Sequence, residues 1–163
     1  MPSVGRIAKG SHKDTVLYEI YMLRFSFRHL LPLLNSSGPE TWGWLELFLL
    51  HYRNLIEFLG SDKKLRKSDL HVSNLWKPDN LSAPHDLNEV YAKGNVLFLD
   101  PEIGHDMISK RLGHCTNVRL DLKKWHVEEM YKGIESLISR IEPTLKPYPP
   151  ELQPEELPVL MAD

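Results

Sequence analysis

Three polar residues interrupt the apolar stretch LLHYRNLIEFLG at residues 49–60. They are His51, Arg53 and Asn54. A histidine can take up or release a proton near neutral pH, and an arginine can hold a phosphate or a carboxylate. With the amide of Asn54 as a further hydrogen-bonding group, these residue types are candidates for a catalytic site.

Helical geometry separates the histidine of this stretch from the arginine. At about 100° per residue, His51 lies on the flank of Leu55, whereas Arg53 lies on the opposite flank beside Glu57. In the interpretation that we favour, His51 is a core imidazole bonded to another helix, and Arg53 neutralises Glu57. In the other, a neighbouring helix brings a second polar group to His51, which creates either a buried polar contact that fixes the packing or an active pair. Asn54 fits both.

A second polar group, SKRLGHCTNVR at residues 109–119, includes His114 and Thr116. His114 is placed near the end of a predicted helix, where the helix dipole favours a cation, and Thr116 can help to terminate that helix. Either His114 forms a local hydrogen bond, or it meets His51 or Arg53 across the bundle.

Helices are expected to position these residues, because apolar residues recur along the chain at helical spacing. Three long helices are predicted, from Asp14 to about Pro32, from the break at NSSGP to Gly60, and over about 121–142. Shorter helices are predicted from about 68 to Trp76, over about 85–93 up to Gly94, and over about 101–116. The run NVLFLDP is expected to lie across the bundle as an extended segment.

The domain organisation follows from this pattern and from the length of 163 residues. One domain is expected, since a chain of this length forms a single sizeable core. We predict an all-α fold, a single-domain bundle of about four to five helices over residues 14–142. Residues 1–13 are expected to form a flexible arm, and residues 143–163 a disordered, proline-rich tail.

The composition disfavours several classes of partner. Lys and Arg total 20 against 22 Asp and Glu, so the net charge of -2 provides no positive field for nucleic acid or acidic lipid. The basic loop 63–67 could bind a phosphate locally, but no aromatic residue interleaves its charges. The single cysteine, Cys115, excludes an internal disulfide, and no apolar run is long enough for a signal peptide or a membrane span. We therefore expect a cytoplasmic protein without membrane contact.

The first predicted helix carries a second apolar strip, formed by Tyr18, Met22 and Phe25. A helix that is apolar on two sides is either central in the bundle or gives one face to a partner. The sequence leaves both readings open. In the second, the chain forms a homodimer through this helix.

Spacing also bears on metal and cofactor chemistry. Glu102-x-x-His105 places two ligands one helical turn apart, as in di-iron bundles, but the sequence has no second copy of this motif. His51 and His114 could form a three-histidine site with a third histidine, which would be His29, His105 or His126. Because the sequence has no H-E-x-x-H motif, glycine-rich phosphate loop or dinucleotide motif, we expect no metal and no cofactor.

Three segments, HYRNLIEFL, LRKSDLHVSNLW and KRLGHCTNVR followed by Trp125, resemble a family of small uncharacterised bacterial proteins. That family carries an H-x-R-N-L-x-x-F-L helix, a D-D-hydrophobic segment, and a helix that ends in H-L-T before a tryptophan. The resemblance spans about residues 42–138 and implies an all-helical fold. The chain departs from the pattern at Cys115, where the family has leucine, and at Ser68, where it has an acid. The polar positions that match the family are His51, Arg53, Asn54, His114 and Thr116.

The chain is also similar in one spacing to the HEPN ribonucleases, helical bundles in which an arginine and a histidine with four to six residues between them bind and cleave RNA. Metal-free cleavage needs a base for the 2'-hydroxyl and a cation for the phosphate, which are the roles of these two residues. Four pairs have this spacing: Arg24 and His29, Arg66 and His71, Arg6 and His12, and Arg119 and His126.

Two functions of different classes follow. The sequence favours a non-enzymatic, cytosolic helical-bundle interaction protein with a protein partner. The alternative is a metal-independent, HEPN-like endoribonuclease of the toxin type, with RNA as its partner.

Overall fold

The computed structural model describes residues 11–60, 70–73, 75–76, 83–113 and 125–149. Within these ranges the chain forms α-helices and one short 3-10 helix, without a strand, which confirms the all-α prediction. The elements are α1 (His12–Leu30), the 3-10 helix (Leu31–Leu33), α2 (Pro39–Gly60), α3 (Leu87–Leu99), α4 (His105–Gly113) and α5 (Val127–Leu145).

The helix α2 lies at the centre of the bundle, where it contacts all four other helices. Its sequence explains this position, because apolar residues recur on more than one of its flanks. Phe48 and Tyr52 are completely buried. The long helix predicted from the break at NSSGP to Gly60 is therefore confirmed, and its interior is buried.

The helix α1 begins earlier than its predicted cap at Asp14. The hydroxyl of Ser11 accepts a hydrogen bond from the backbone amide of Asp14 at 3.2 Å, and the Asp14 carboxylate accepts one from the Ser11 amide at 2.9 Å. This reciprocal capping box satisfies free amides at the helix start. Residues 11–13, predicted as part of the flexible arm, belong to this helix start, and residues 1–10 lie outside the described residues. At the other end Pro32 falls in the 3-10 helix, so the predicted termination there is confirmed.

The helix α3 continues to Leu99, past the predicted end at Gly94, and the following run is not the extended segment that was expected. The glycine serves close packing rather than termination. A Cβ atom on Gly94 would lie 2.7 Å from the backbone oxygen and 2.8 Å from the Cβ of Leu59 on α2. Contacts this short are forbidden, so the two backbones can approach only because the side chain is absent.

Two predicted helices differ from the structure: the helix over about 101–116 starts later, and the short helix from about 68 to Trp76 is not formed by the described residues of that range. Asp100 caps a turn rather than the helix itself, since its Oδ1 accepts hydrogen bonds from the amides of Glu102 and Ile103 at 2.8 and 3.0 Å. The helix α4 therefore starts only at His105, and residues 114–116 of its predicted span lie outside the described residues. Residues 72–73 and 75–76 form turns, and residues 70–71 have no regular secondary structure, instead of the predicted short helix.

The helix α5 runs through Pro143 to Leu145, although the tail was predicted to begin at residue 143. Leu145 is completely buried, and Thr144 accepts a hydrogen bond from the Trp76 indole at 3.1 Å, so contacts outside the helix hold its last turn. The predicted start at about residue 121 lies outside the described residues.

Buried apolar residues from all five helices form one core. Within the described ranges, no helix combines the length and the apolar composition that crossing a membrane requires.

Candidate functional site

The candidate residue His51 is buried between α2 and α1. Its side chain is 5% exposed, and its Nδ1 lies 2.7 Å from Oε2 of Glu19, which is 19% exposed. Asn54 donates a hydrogen bond from Nδ2 to the same oxygen at 3.2 Å. Two of the three predicted polar residues of α2 therefore meet on one carboxylate of α1, and the prediction that His51 is bonded to another helix is confirmed.

The short connection between α1 and α2 explains why these residues meet. Glu19 lies eleven residues before the end of α1 at Leu30, and His51 lies twelve residues after the start of α2 at Pro39. Two helices joined by a short loop pack antiparallel, so positions equally far from the loop face each other. The Tyr18 ring also covers His51 edge-on, with ring centroids 5.8 Å apart.

Arg53 does not join this group. Its Nε is buried without a hydrogen-bond partner among the described residues. The predicted ion pair with Glu57 is wrong, because α4 places His105 next to that carboxylate, with Nε2 3.6 Å from Glu57 Oε2. The structure thus separates Arg53 from His51, as the helical geometry predicts.

The remaining candidates, His114 and Thr116, lie outside the described residues. The predicted contact of His114 with His51 or Arg53 therefore falls outside them as well. The basic loop 63–67 and Cys115 lie outside them as well.

A cleft of about 260 Å³ opens between α1 and α2 beside Glu19. Among the described residues of its lining, the charged groups are two carboxylates, which repel a phosphate rather than attract it. Its lining residues are Thr15, Val16, Glu19, Asn54, Leu55, Glu57, Phe58 and Leu70. An acidic cleft of this kind does not suit RNA.

The chemistry open to this group is limited by burial. A general base must come within hydrogen-bonding distance of its substrate, and the His51 side chain is almost completely covered. A buried imidazole that shares a carboxylate with an amide is well suited to fixing the position of one helix on another. The geometry therefore supports a structural role for His51, Asn54 and Glu19.

A second polar group, which we call the Arg24 cluster, consists of Arg24, Glu135, Glu142 and Tyr148. The Arg24 guanidinium pairs with two glutamates of α5, at 2.8 Å from Nη1 to Glu142 Oε1 and through a short bond to Glu135. The Tyr148 hydroxyl donates to Glu142 Oε1 at 2.5 Å. The cluster therefore joins α1 to α5 and holds the segment after α5 in place, although Tyr148 belongs to the predicted disordered tail.

Burial and charge act in opposite directions on the acid and the base of this cluster. Burial raises the pKa of Glu142, but the hydrogen bonds from Arg24 and Tyr148 outweigh it, so the pKa of Glu142 lies below its ordinary value. Burial lowers the pKa of Arg24, and the two glutamates more than compensate. Burial, with the negative charge of Glu135, raises the pKa of Tyr131 to about 12. Glu142 and Arg24 both stay ionised at neutral pH.

The Arg24 cluster also bears on the ribonuclease spacing. Arg24 faces α5, whereas His29 stacks on Trp44 of α2 with ring centroids 4.3 Å apart. The first of the four pairs therefore does not converge on a common substrate position. In each of the other three pairs the arginine lies outside the described residues; these are Arg6, Arg66 and Arg119.

Potential metal ligands stay apart in the described part of the chain, where no three His, Cys, Asp or Glu side chains could hold an ion together. Oε2 of Glu102 lies 3.9 Å from Nε2 of His126, and Glu102 does not pair with His105.

The sequence patterns predicted neither Glu19 as the partner of His51 nor the Arg24 cluster. The available signal was a charged residue, Glu19 or Arg24, flanked by apolar residues in the middle of α1. Its partners lie 32 and more than 100 residues further along the chain, so only the fold identifies them. Comparison of the chain with protein-family models, with curated proteins and with solved structures finds no match.

Proposed function

We propose that this chain is a non-enzymatic, cytosolic interaction protein that binds a protein partner through one face of α1. We call this surface the outer face of α1; it consists of Asp14, Tyr18, Tyr21, Phe25 and Arg28. The observation that carries the proposal is the row of three aromatic rings on this face. Tyr18 is 42% exposed, and Tyr21 and Phe25 are half-buried.

The other sides of α1 are occupied within the chain. Glu19 contacts α2, Arg24 contacts α5, and Phe27 stacks on Tyr131 of α5 with ring centroids 3.7 Å apart. On the outer face, the Tyr18 ring contacts His51 and the Phe25 ring contacts Trp44, both on α2, whereas Tyr21 stacks on Phe25 of α1 itself. These contacts leave Tyr18 42% exposed and Tyr21 and Phe25 half-buried.

Aromatic residues are favoured at protein interfaces, because they bury a large area and lose little conformational freedom. A row of three, flanked by one acid and one base, has the composition of an interface centre with a polar rim. The ribonuclease alternative has no comparable support, because His51 is covered and the nearby cleft is acidic.

Site-specific crosslinking tests this proposal. The photoreactive residue p-benzoylphenylalanine is introduced at Tyr18 in the full chain, which is expressed in its native host and irradiated. The matched control is the same residue at Lys132, which is exposed on α5. We expect a discrete protein adduct from position 18 and no adduct from position 132. Equal or absent adducts from the two positions would overturn the proposal.

A further inference from the structure

We propose that the occupant of the outer face of α1 is a second copy of this chain, with the two α1 helices antiparallel about a twofold axis at Tyr21. This inference rests on the proposed function of that face and adds to it the identity and the orientation of the partner.

The spacing of the outer face fits a helix-helix contact. Its residues are Asp14, Tyr18, Tyr21, Phe25 and Arg28, separated by four, three, four and three residues. This alternation keeps side chains in line along one side of a helix and is the spacing by which two helices pack along their length. The face spans four helical turns, so it offers a continuous contact rather than a single anchor.

The charges on the face are complementary to themselves in one orientation. Asp14 and Arg28 stand at opposite ends, each seven residues from Tyr21. In an antiparallel pair centred on Tyr21, Asp14 of each copy meets the partner's Arg28, and this pairing occurs twice. A parallel pair would instead bring like charges together at both ends, which is unfavourable.

Both charged residues are free for this contact. Arg28 is exposed and forms no hydrogen bond or ion pair with another of the described residues, and only Oδ2 of Asp14 is used among them, in the capping box with Ser11. The middle of the face is uncharged and aromatic, and Tyr21 stacks on Phe25 with an interplanar angle of 10°. Twofold symmetry makes each residue of such an interface serve twice, which gives a homodimer from one short face.

Charge exchange between two variants tests the partner and the orientation together. In Arg28→Glu, each antiparallel dimer brings Asp14 against a glutamate twice; in Asp14→Lys it brings a lysine against Arg28 twice. In a mixed dimer of the two variants every end contact is again between opposite charges. The association constants of the wild type, each variant and the equimolar mixture are measured by sedimentation equilibrium of the full chain.

We expect the wild type to dimerise, each variant alone to associate on the order of tenfold more weakly, and the mixture to recover most of this loss as a heterodimer. Lys132→Glu, which changes the net charge as Arg28→Glu does but lies on α5, should leave dimerisation unchanged. Because Asp14→Lys also removes part of the capping box, Tyr21→Arg provides a second variant, which places two like charges at the axis and should abolish the dimer.

Three results would overturn the inference: a monomeric wild type at all concentrations, a mixture no stronger than its components, or a Tyr21→Arg variant that dimerises normally. These outcomes are distinguishable from failure of the proposed function. If the Tyr18 crosslink contains a different protein, the face binds a partner but not a second copy; if no crosslink forms, the proposed function fails as well.

Discussion

The imidazole of His51 lies 2.7 Å from the Glu19 carboxylate and joins the middle of α2 to the middle of α1. Because Asn54 donates to the same carboxylate oxygen, three polar groups satisfy one another in a place where the surrounding helix is apolar. A buried polar contact of this kind favours one register of the two helices over others. In this register Tyr18, on the outer face of α1, contacts His51 and is still 42% exposed.

A double-mutant cycle measures this contact. We expect Glu19→Ala and His51→Ala to be coupled by about 0.5–3 kcal/mol in the free energy of unfolding, because each removes the same short interaction. The matched cycle on Glu57 and His105, where the two atoms are 3.6 Å apart and Glu57 is 37% exposed, should give a smaller coupling. Denaturant unfolding provides both values, and additive effects for Glu19 and His51 would contradict a structural contact.

Two glycines in helices are expected to respond in opposite ways to alanine. Gly94→Ala should destabilise the protein by about 1–3 kcal/mol, since the new methyl group would overlap Leu59. Gly43→Ala should stabilise it by about 0.5–1 kcal/mol, because nothing lies within 4 Å of the added Cβ and alanine favours the helix. Thermal or denaturant unfolding of the two variants checks this. Stabilisation by Gly94→Ala would mean that α2 and α3 are further apart than described.

The Arg24 cluster makes the free energy of unfolding depend on pH in the acidic range. The pKa of Glu142 is lowered in the folded protein, so the unfolded chain binds that proton more tightly. The stabilisation by ionised Glu142 is therefore fully present at pH values above 4.5, the ordinary pKa of glutamate. It is lost as the pH falls through the lowered pKa of the folded protein. Glu142→Gln should cost about 1–3 kcal/mol at neutral pH and flatten this acid dependence.

The control for this titration is Glu128→Gln, at an exposed carboxylate on the same helix. Unfolding free energies of the wild type and both variants are compared between pH 3 and 7, a range of about four units around the glutamate value. An unchanged pH profile for Glu142→Gln would contradict the ion pair.

Nuclease activity is expected to be absent. Arg24 is bound by two glutamates, and His29 is stacked on Trp44, so this pair cannot jointly hold and cleave a phosphodiester. We expect the purified full chain to leave single-stranded RNA intact in the presence of a chelator, and its expression not to inhibit growth. RNA cleavage that is lost in both His29→Ala and His51→Ala would establish the ribonuclease instead.

The sequence predicts well those features that depend on local pattern. The apolar spacing of α2 and the position of Pro32 each identify an element, because helix periodicity and the proline ring act within a few residues. Gly94 was misread, since a glycine needed for close packing has the same sequence appearance as one that ends a helix. Pro143 was misread because contacts from outside the helix, including the Trp76 indole, hold its last turn.

In the candidate site, too, local pattern predicts some features and tertiary contacts decide the others. The separation of His51 from Arg53 follows from helical geometry alone. The partner of His51 does not, because Glu19 lies on another helix and any polar residue of α1 could have faced it. Arg53 was paired with Glu57 by its spacing, but α4 brings His105 to that carboxylate, and such tertiary competition is invisible in a single sequence.

The central claim is that the outer face of α1 binds a protein, and side-chain footprinting tests it most directly. Hydroxyl-radical labelling of Tyr18, 42% exposed, is measured relative to Leu99 on α3, 67% exposed, both in dilute purified chain and in cells of its native host. We expect the ratio of Tyr18 to Leu99 labelling to fall several-fold in the cells, because a partner covers Tyr18. An equal ratio in the two conditions would contradict the claim.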